Sequence, residues 1–173
     1  MKHPTLPLWA SAAVALALGS GCAGYRLGPG ADSPVAGKTV QVVPFTNRTM
    51  EPRLADAVTA AVRKELQRDG SARLATLEPG DIVLTGELIQ YRRRELSFVP
   101  EDIATARDYR VQLTARVTAR ERATGRVLLE QDVTGYTLIR VGGDLSGTER
   151  QALPLLAADL ARQIRDLLVE GSW

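Results

Sequence analysis

Three consecutive cations, Arg92-Arg93-Arg94, stand beside Tyr91 and just ahead of Leu96 and Phe98. Guanidinium forks grip phosphate bidentately, and apolar neighbours suit a ligand that is only partly polar, so this grouping is chemistry for holding an anionic amphiphile. Side chains alternate along a strand, which puts Arg92 and Arg94 on one side and Arg93 on the other. Arg92 and Arg94 are the candidate phosphate contacts; Arg140 and Arg150, flanking a glycine-rich loop, are a second candidate pair for the same ligand. The triplet also fits a simpler role, the charged end of an exposed strand that discourages edge pairing.

Chemistry that breaks bonds has fewer residues to draw on. The chain has one histidine, His3, and one cysteine, Cys22, both near its start. With those two assigned to a leader and its processing site, no imidazole or thiol remains for a Ser-His or Cys-His pair or for a zinc site. The acids Glu87, Glu95, Asp108, Glu121, Glu130 and Asp132 are scattered among Arg and Thr on polar faces, without the pairing that carboxylate catalysis needs. Gly142 to Gly147 has glycines but neither the lysine nor the strand-to-helix spacing of a phosphate loop. The sequence therefore reads as a non-enzyme with no cofactor.

The leader is recognisable by its layout. Lys2 supplies a positive start, Trp9 to Leu18 is uncharged and mostly apolar, and Gly19-Ser20-Gly21 closes it with small residues, as in a secretory signal peptide. Crossing a bilayer takes roughly 20 apolar residues, more than this run supplies. Cys22, directly after Gly21, resembles the cysteine of the bacterial lipobox, which is acylated and becomes the new N-terminus; Gly19 stands where that motif usually has Leu. Each buried methylene contributes about 0.8 kcal/mol, so two or three acyl chains hold a protein on a membrane. Ala23, rather than Asp, follows the cysteine, which by the same resemblance favours the outer membrane, facing the periplasm. The expected organisation is a signal peptide over 1–21, a lipidated tether over 22–37 and one periplasmic domain over 38–173. The formal net charge of the whole chain is +2, with 22 basic and 20 acidic residues. So near a balance gives no general drive toward nucleic acid.

Periodicity supplies the elements that must position the arginines. Thr39 to Phe45 reads as a strand ending near Pro44. Over Arg53 to Asp69, Leu54, Val58, Ala61, Val62 and Leu66 share one helical face, with Thr49 able to cap the start, Pro52 suited to the first turn and Gly70 to the stop. Asp81 to Phe98 reads as a long strand with a bulge near Leu88-Ile89. Tyr109 to Arg120 alternates apolar and polar without a break, and the turn at Arg122 to Gly125 leads into Arg126 to Val141, so these two strands form an antiparallel hairpin. Arg110, Arg116 and Arg120 on the polar phase, with Thr and Gln between them, read as sheet surface or a partner contact rather than a ligand pocket. Ser146 to Glu149 has capping-box spacing ahead of a long helix through Leu153, Leu156, Ala157, Leu160, Ile164 and Leu167, in which Pro154 must lie in the first turn or bend the axis. These elements predict an α+β two-layer sandwich, a four-stranded, mainly antiparallel sheet with both helices on one face.

The anchor Gly21-Cys22-Ala23-Gly24-Tyr25-Arg26, the helix around Arg53-Leu-Ala-Asp-Ala-Val58, and the long strand and hairpin before a C-terminal helix together resemble the LptE family of lipopolysaccharide-assembly lipoproteins. The resemblance implies a plug inside the lumen of a large outer-membrane β-barrel, LptD, that helps the barrel assemble and binds lipopolysaccharide during its delivery to the outer leaflet. A second resemblance rests on Val42-Val-Pro-Phe-Thr-Asn-Arg-Thr49, which is similar to the start of periplasmic accessory lipoproteins such as the curli secretion subunit and the activators of peptidoglycan synthases. It implies a pore-forming assembly subunit or a regulatory module.

Overall fold

The computed structural model of the chain describes residues 33–99, 102–140 and 144–171, with side chains for all of these but 97–107. The leader, Cys22 and the glycines at 142 and 143 lie outside the described residues. The elements run β1 (Thr39–Val42), β2 (Thr46–Asn47), α1 (Leu54–Asp69), β3 (Arg73–Leu74), β4 (Ile82–Val99), β5 (Asp102–Glu121), β6 (Val127–Arg140) and α2 (Leu145–Glu170). No helix among the described residues is long and apolar enough to cross a membrane.

The α+β class and the two helices are as expected, but the sheet has six strands and is mixed. Its order is β3-β1-β4-β5-β6, with β2 also on β4. β4, β5 and β6 form the antiparallel part. β1 runs parallel to both β3 and β4, and β2 runs parallel to β4. The correction has a simple cause: β2 and β3 are two residues each, too short for a period-two signal to register. Parallel pairing of β1 with β4 follows from the crossover through α1, which returns the chain to the same end of the sheet.

The apolar phases meet in one layer. Val40 and Val42, Ile82, Leu84 and Leu88, the odd residues Val111 to Ala119, and Leu129, Val133 and Ile139 are all buried. Leu54, Val58, Val62 and Leu66 of α1 and Leu156, Leu160, Ile164 and Leu168 of α2 close over them. At Gly86, where the alternation of β4 lapses, the Phe45 ring occupies the space a side chain would fill. Thr59 fixes that ring's backbone, since its hydroxyl accepts the Phe45 N–H at 2.9 Å while donating to the Ala55 carbonyl at 2.7 Å. Val35, inside the span read as tether, is also buried, so the folded body begins a few residues before β1.

The helix N-termini differ from expectation at both helices. Gly70 stops α1 in the left-handed conformation, as glycine allows. At the other end Thr49 does not cap; Arg53 takes the cap position with a φ of 65° and no side-chain bond. For α2 the cap is Asp144, whose carboxylate accepts the Gly147 N–H at 2.9 Å, which starts the helix ahead of the Ser146-Glu149 box and leaves Pro154 inside it.

Asp81 ties the lower ends of β1 and β4 together. Its carboxylate accepts the Thr39 N–H at 2.8 Å and the Thr39 hydroxyl at 2.7 Å, and its own N–H donates back to that hydroxyl at 2.9 Å. The backbone bond from Thr39, then the hydroxyl bond, hold the Asp81 carboxyl below its ordinary pKa. A depressed folded value contributes stability above the unfolded pKa of about 3.9, and that contribution disappears as pH falls through the folded value. Asp81→Asn is therefore expected to melt below the parent at pH 7 and to approach it near pH 2, as thermal scans at the two pH values would read.

Candidate functional site: a cationic face of the sheet

The bulge between Leu88 and Gln90 decides which arginine faces where. Before it the even residues of β4 point to the core; after it the odd ones do, so Tyr91 and Arg93 turn inward and Arg92 and Arg94 outward, as strand alternation requires. Cross-strand register then lays out two rows on the outer face. Arg92 lies beside Gln112 and that beside Tyr136; Arg94 lies beside Arg110 and that beside Leu138.

Arg94 and Arg110 are thus direct neighbours of like charge, and opposed like charges destabilise a sheet. Neither these two nor Arg92 forms an ion pair among the described residues. The guanidinium of Arg110 instead lies over the Tyr136 ring, 5.3 Å from its centroid. Beside these cations stand exposed apolar groups, with Tyr136 50% exposed, Leu138 60% and Leu96 49%. A surface that keeps Arg unpaired next to open aliphatic and aromatic carbon suits a ligand with an anionic head and an apolar body.

The other two candidate arginines are placed differently. Arg140 lies on the same face but is committed to Asp108, Nε to Oδ1 at 2.8 Å; that hydrogen bond, then the carboxylate's charge, raise its pKa. It lines a shallow depression with Leu96, Asp108, Leu138 and Ile139. Arg150 belongs to α2, in the layer behind the sheet, where its Nε donates to the Ser146 carbonyl at 3.3 Å. The structure therefore brings Arg92 and Arg94 together, keeps Arg140 at the margin and leaves Arg150 apart. Arg110, Tyr136 and Leu138 were not among the sequence candidates. A signal existed for two of them, since Tyr136 and Leu138 fall on the phase opposite to Val133 and Ile139.

Arg93, half-exposed, joins β4 to α2. Its guanidinium reaches Glu149 Oε2 at 3.1 Å, and the Tyr91 hydroxyl donates to the other oxygen of the same carboxylate. Burial, then the Glu149 hydrogen bond, push the Tyr91 phenol well above its ordinary pKa, so it remains a donor throughout the physiological range. This triad fastens the first turns of α2 to β4. Glu149→Ala strands a half-buried hydroxyl and a guanidinium, so a loss of roughly 1–3 kcal/mol is expected in urea unfolding. Among the described residues no group of His, Cys, Asp and Glu could hold a metal ion.

Comparison with known proteins agrees with this architecture. A protein from Xanthomonas campestris superposes with a TM-score of 0.60 at 10% identity, over 84% of this chain and 91% of its own. A protein from Chlamydia trachomatis superposes at 0.54 and 12% identity, over 75% and 94%. A minor lipoprotein from Acinetobacter baumannii superposes at 0.50 and 13% identity, over 77% and 93%. At such identities the likeness is one of fold. No curated protein matches the chain. The sequence profile of one family does: LptE, described as lipopolysaccharide-assembly, matches residues 37–168, which take in every strand and nearly all of both helices. The match chooses between the two resemblances, and this chain belongs to the LptE lipopolysaccharide-assembly family.

Proposed function

We propose that the protein is an outer-membrane lipoprotein, held on the periplasmic side by acyl chains on Cys22, that plugs a large LptD-like β-barrel and binds lipopolysaccharide on its way to the outer leaflet. The family supports the assembly role. The observation that carries lipid binding is the pairing of Arg94 with Arg110, next to Arg92 and beside exposed Tyr136 and Leu138. A phosphate placed between these guanidiniums relieves their repulsion, while sugar or acyl carbon covers the neighbouring apolar surface. The polar outer phase of the sheet, with Thr114 and Thr134 hydrogen-bonded at 2.9 Å and Arg116 ion-paired to Asp132 at 2.9 Å, suits the hydrated lumen of a barrel.

The test is a mild-detergent pull-down of the tagged, lipidated protein from its own envelope, with co-purifying proteins quantified by mass spectrometry. A large β-barrel at roughly one-to-one stoichiometry is the expected result. Recovery of copies of the chain alone, or of a cell-wall synthase, overturns the plug role.

A further inference from the structure

β4 has β5 along one side for its whole length, but its other side is covered only in part. β1 pairs with Ile82 to Leu84 and β2 with Glu87 and Leu88. The last bond on this side is the Arg48 N–H to the Leu88 carbonyl at 2.9 Å. Asn47 then turns the chain away: its side-chain oxygen accepts the Thr49 N–H at 2.9 Å, and its amide donates to the Glu51 carbonyl at 2.7 Å. From Ile89 to Val99 no described strand pairs with this edge.

Register identifies the free groups. Leu88 directs its backbone toward β2, and across the bulge the corresponding positions are Tyr91 and Arg93, so their N–H and C=O groups face outward. The same alternation, carried across β5, turns the Tyr136 N–H to the far edge of β6, where Asp159 accepts it at 2.9 Å. The edge of β6 is thus capped by a side chain at its middle, whereas the edge of β4 opens into a cleft of about 820 Å³ between Arg48 to Glu51 on one side and Glu149 on the other.

We propose that this edge takes up an extended, acidic segment of a partner polypeptide as an added strand. Bare strand edges pair readily, and a strand laid beside β4 places alternate side chains next to Arg92 and Arg94, which have no carboxylate partner among the described residues. Charge excludes a second copy of this chain, because self-pairing brings the two arginine triplets together. Reach excludes the chain's own residues 22–32. They enter at Ser33, where Pro34 adjoins Gly171 after the end of α2, while the cleft borders Glu149 near its start. That separation is about 33 Å along the helix, and residues 22–32 span at most roughly 40 Å when fully extended, which leaves almost nothing to lie along the edge. The proposal does not depend on the lipid reading, although carboxylate and phosphate address the same two guanidiniums.

The test uses the full lipidated chain in mild detergent and a ten-residue peptide of alternating valine and glutamate. Two further versions carry N-methyl groups on all valine amides or on all glutamate amides, and a fourth has lysine for glutamate. In an added strand only one set of amides faces β4, so one N-methylated version is expected to lose binding at least tenfold and the other to retain it, with the lysine peptide inert. Hydrogen exchange of the Tyr91 and Arg93 amides is expected to slow at least tenfold with the unmodified peptide. Equal binding by both N-methylated versions means charge attraction alone and overturns the proposal. So does unchanged exchange at Tyr91 and Arg93, and so does their protection in the peptide-free protein at high concentration, which would assign the edge to self-association.

Discussion

Gly135→Ala is expected to lower the thermal midpoint by about 10 °C, a large loss for the addition of a single methyl group. Gly135 sits on the inward phase of β6, opposite Leu113 and facing the middle of α2 at Leu160. A Cβ built there lies 2.5 Å from the Leu160 backbone nitrogen and 2.7 Å from its Cα. Both are main-chain atoms in the middle of a helix, so no rotamer change makes room; the helix itself must move. That movement would pull buried Leu156, Leu160 and Ile164 off Val111 to Val117, and overpacking of this kind costs about 3 kcal/mol. At this chain length each kcal/mol shifts the midpoint by about 2–4 °C. Thr134→Ala, one position away on the exposed face, loses only the hydroxyl contact to Thr114 and is expected to shift it by less than a third as much. Differential scanning calorimetry on the pair decides the matter: equal midpoints for Gly135→Ala and the parent would mean that α2 does not pack this closely.

Small residues at the interface explain how much of the fold was legible. The apolar stripes of α1 and α2 and the unbroken alternation of β5 follow from composition and spacing alone, and the buried residues largely follow the expected phases, except that Leu168 is fully buried at the end of α2 where Leu167 was expected, while Leu153 and Leu167 are only partly so. The bulge near Leu88 was legible because two adjacent apolar residues cannot both face the core. What stayed hidden involves partners distant in sequence. Gly86 reads as a lapse in β4 until Phe45, far away in the chain, is seen to fill it. β2 and β3 have no pattern of their own and exist because β4 and β1 offer them an edge. Asp144 displaced a capping box that looked equally good locally, since either carboxylate can satisfy the first turn, and Glu149 was required by Tyr91 and Arg93. At the site the alternation of Arg92 and Arg94 was readable, but Arg110 was one polar residue among several on β5. Only register sets it opposite Arg94.

That register makes the double variant Arg92→Ala/Arg94→Ala the decisive test of the lipid site. Each charged hydrogen bond lost from phosphate is worth about 1.5 kcal/mol at an exposed position, so removal of both is expected to weaken lipopolysaccharide binding about a hundredfold. Truncation also removes the Arg94–Arg110 opposition, so the variant is expected to melt no lower than the parent. Unchanged stability separates a lost contact from a damaged fold. Lysine at both positions keeps the charge but not the planar fork, and is expected to recover only part of the affinity. Exposed charges are screened, so parent binding is expected to weaken between 0.05 and 0.5 M salt, and the variant to show a shallower dependence. The proposed barrel contact, assigned to the part of the sheet's polar face around Thr114, Arg116 and Thr134, is expected to persist in the double variant. Lipid affinity unchanged by the double substitution would remove the phosphate role from this face and return Arg92 and Arg94 to guarding the edge of β4.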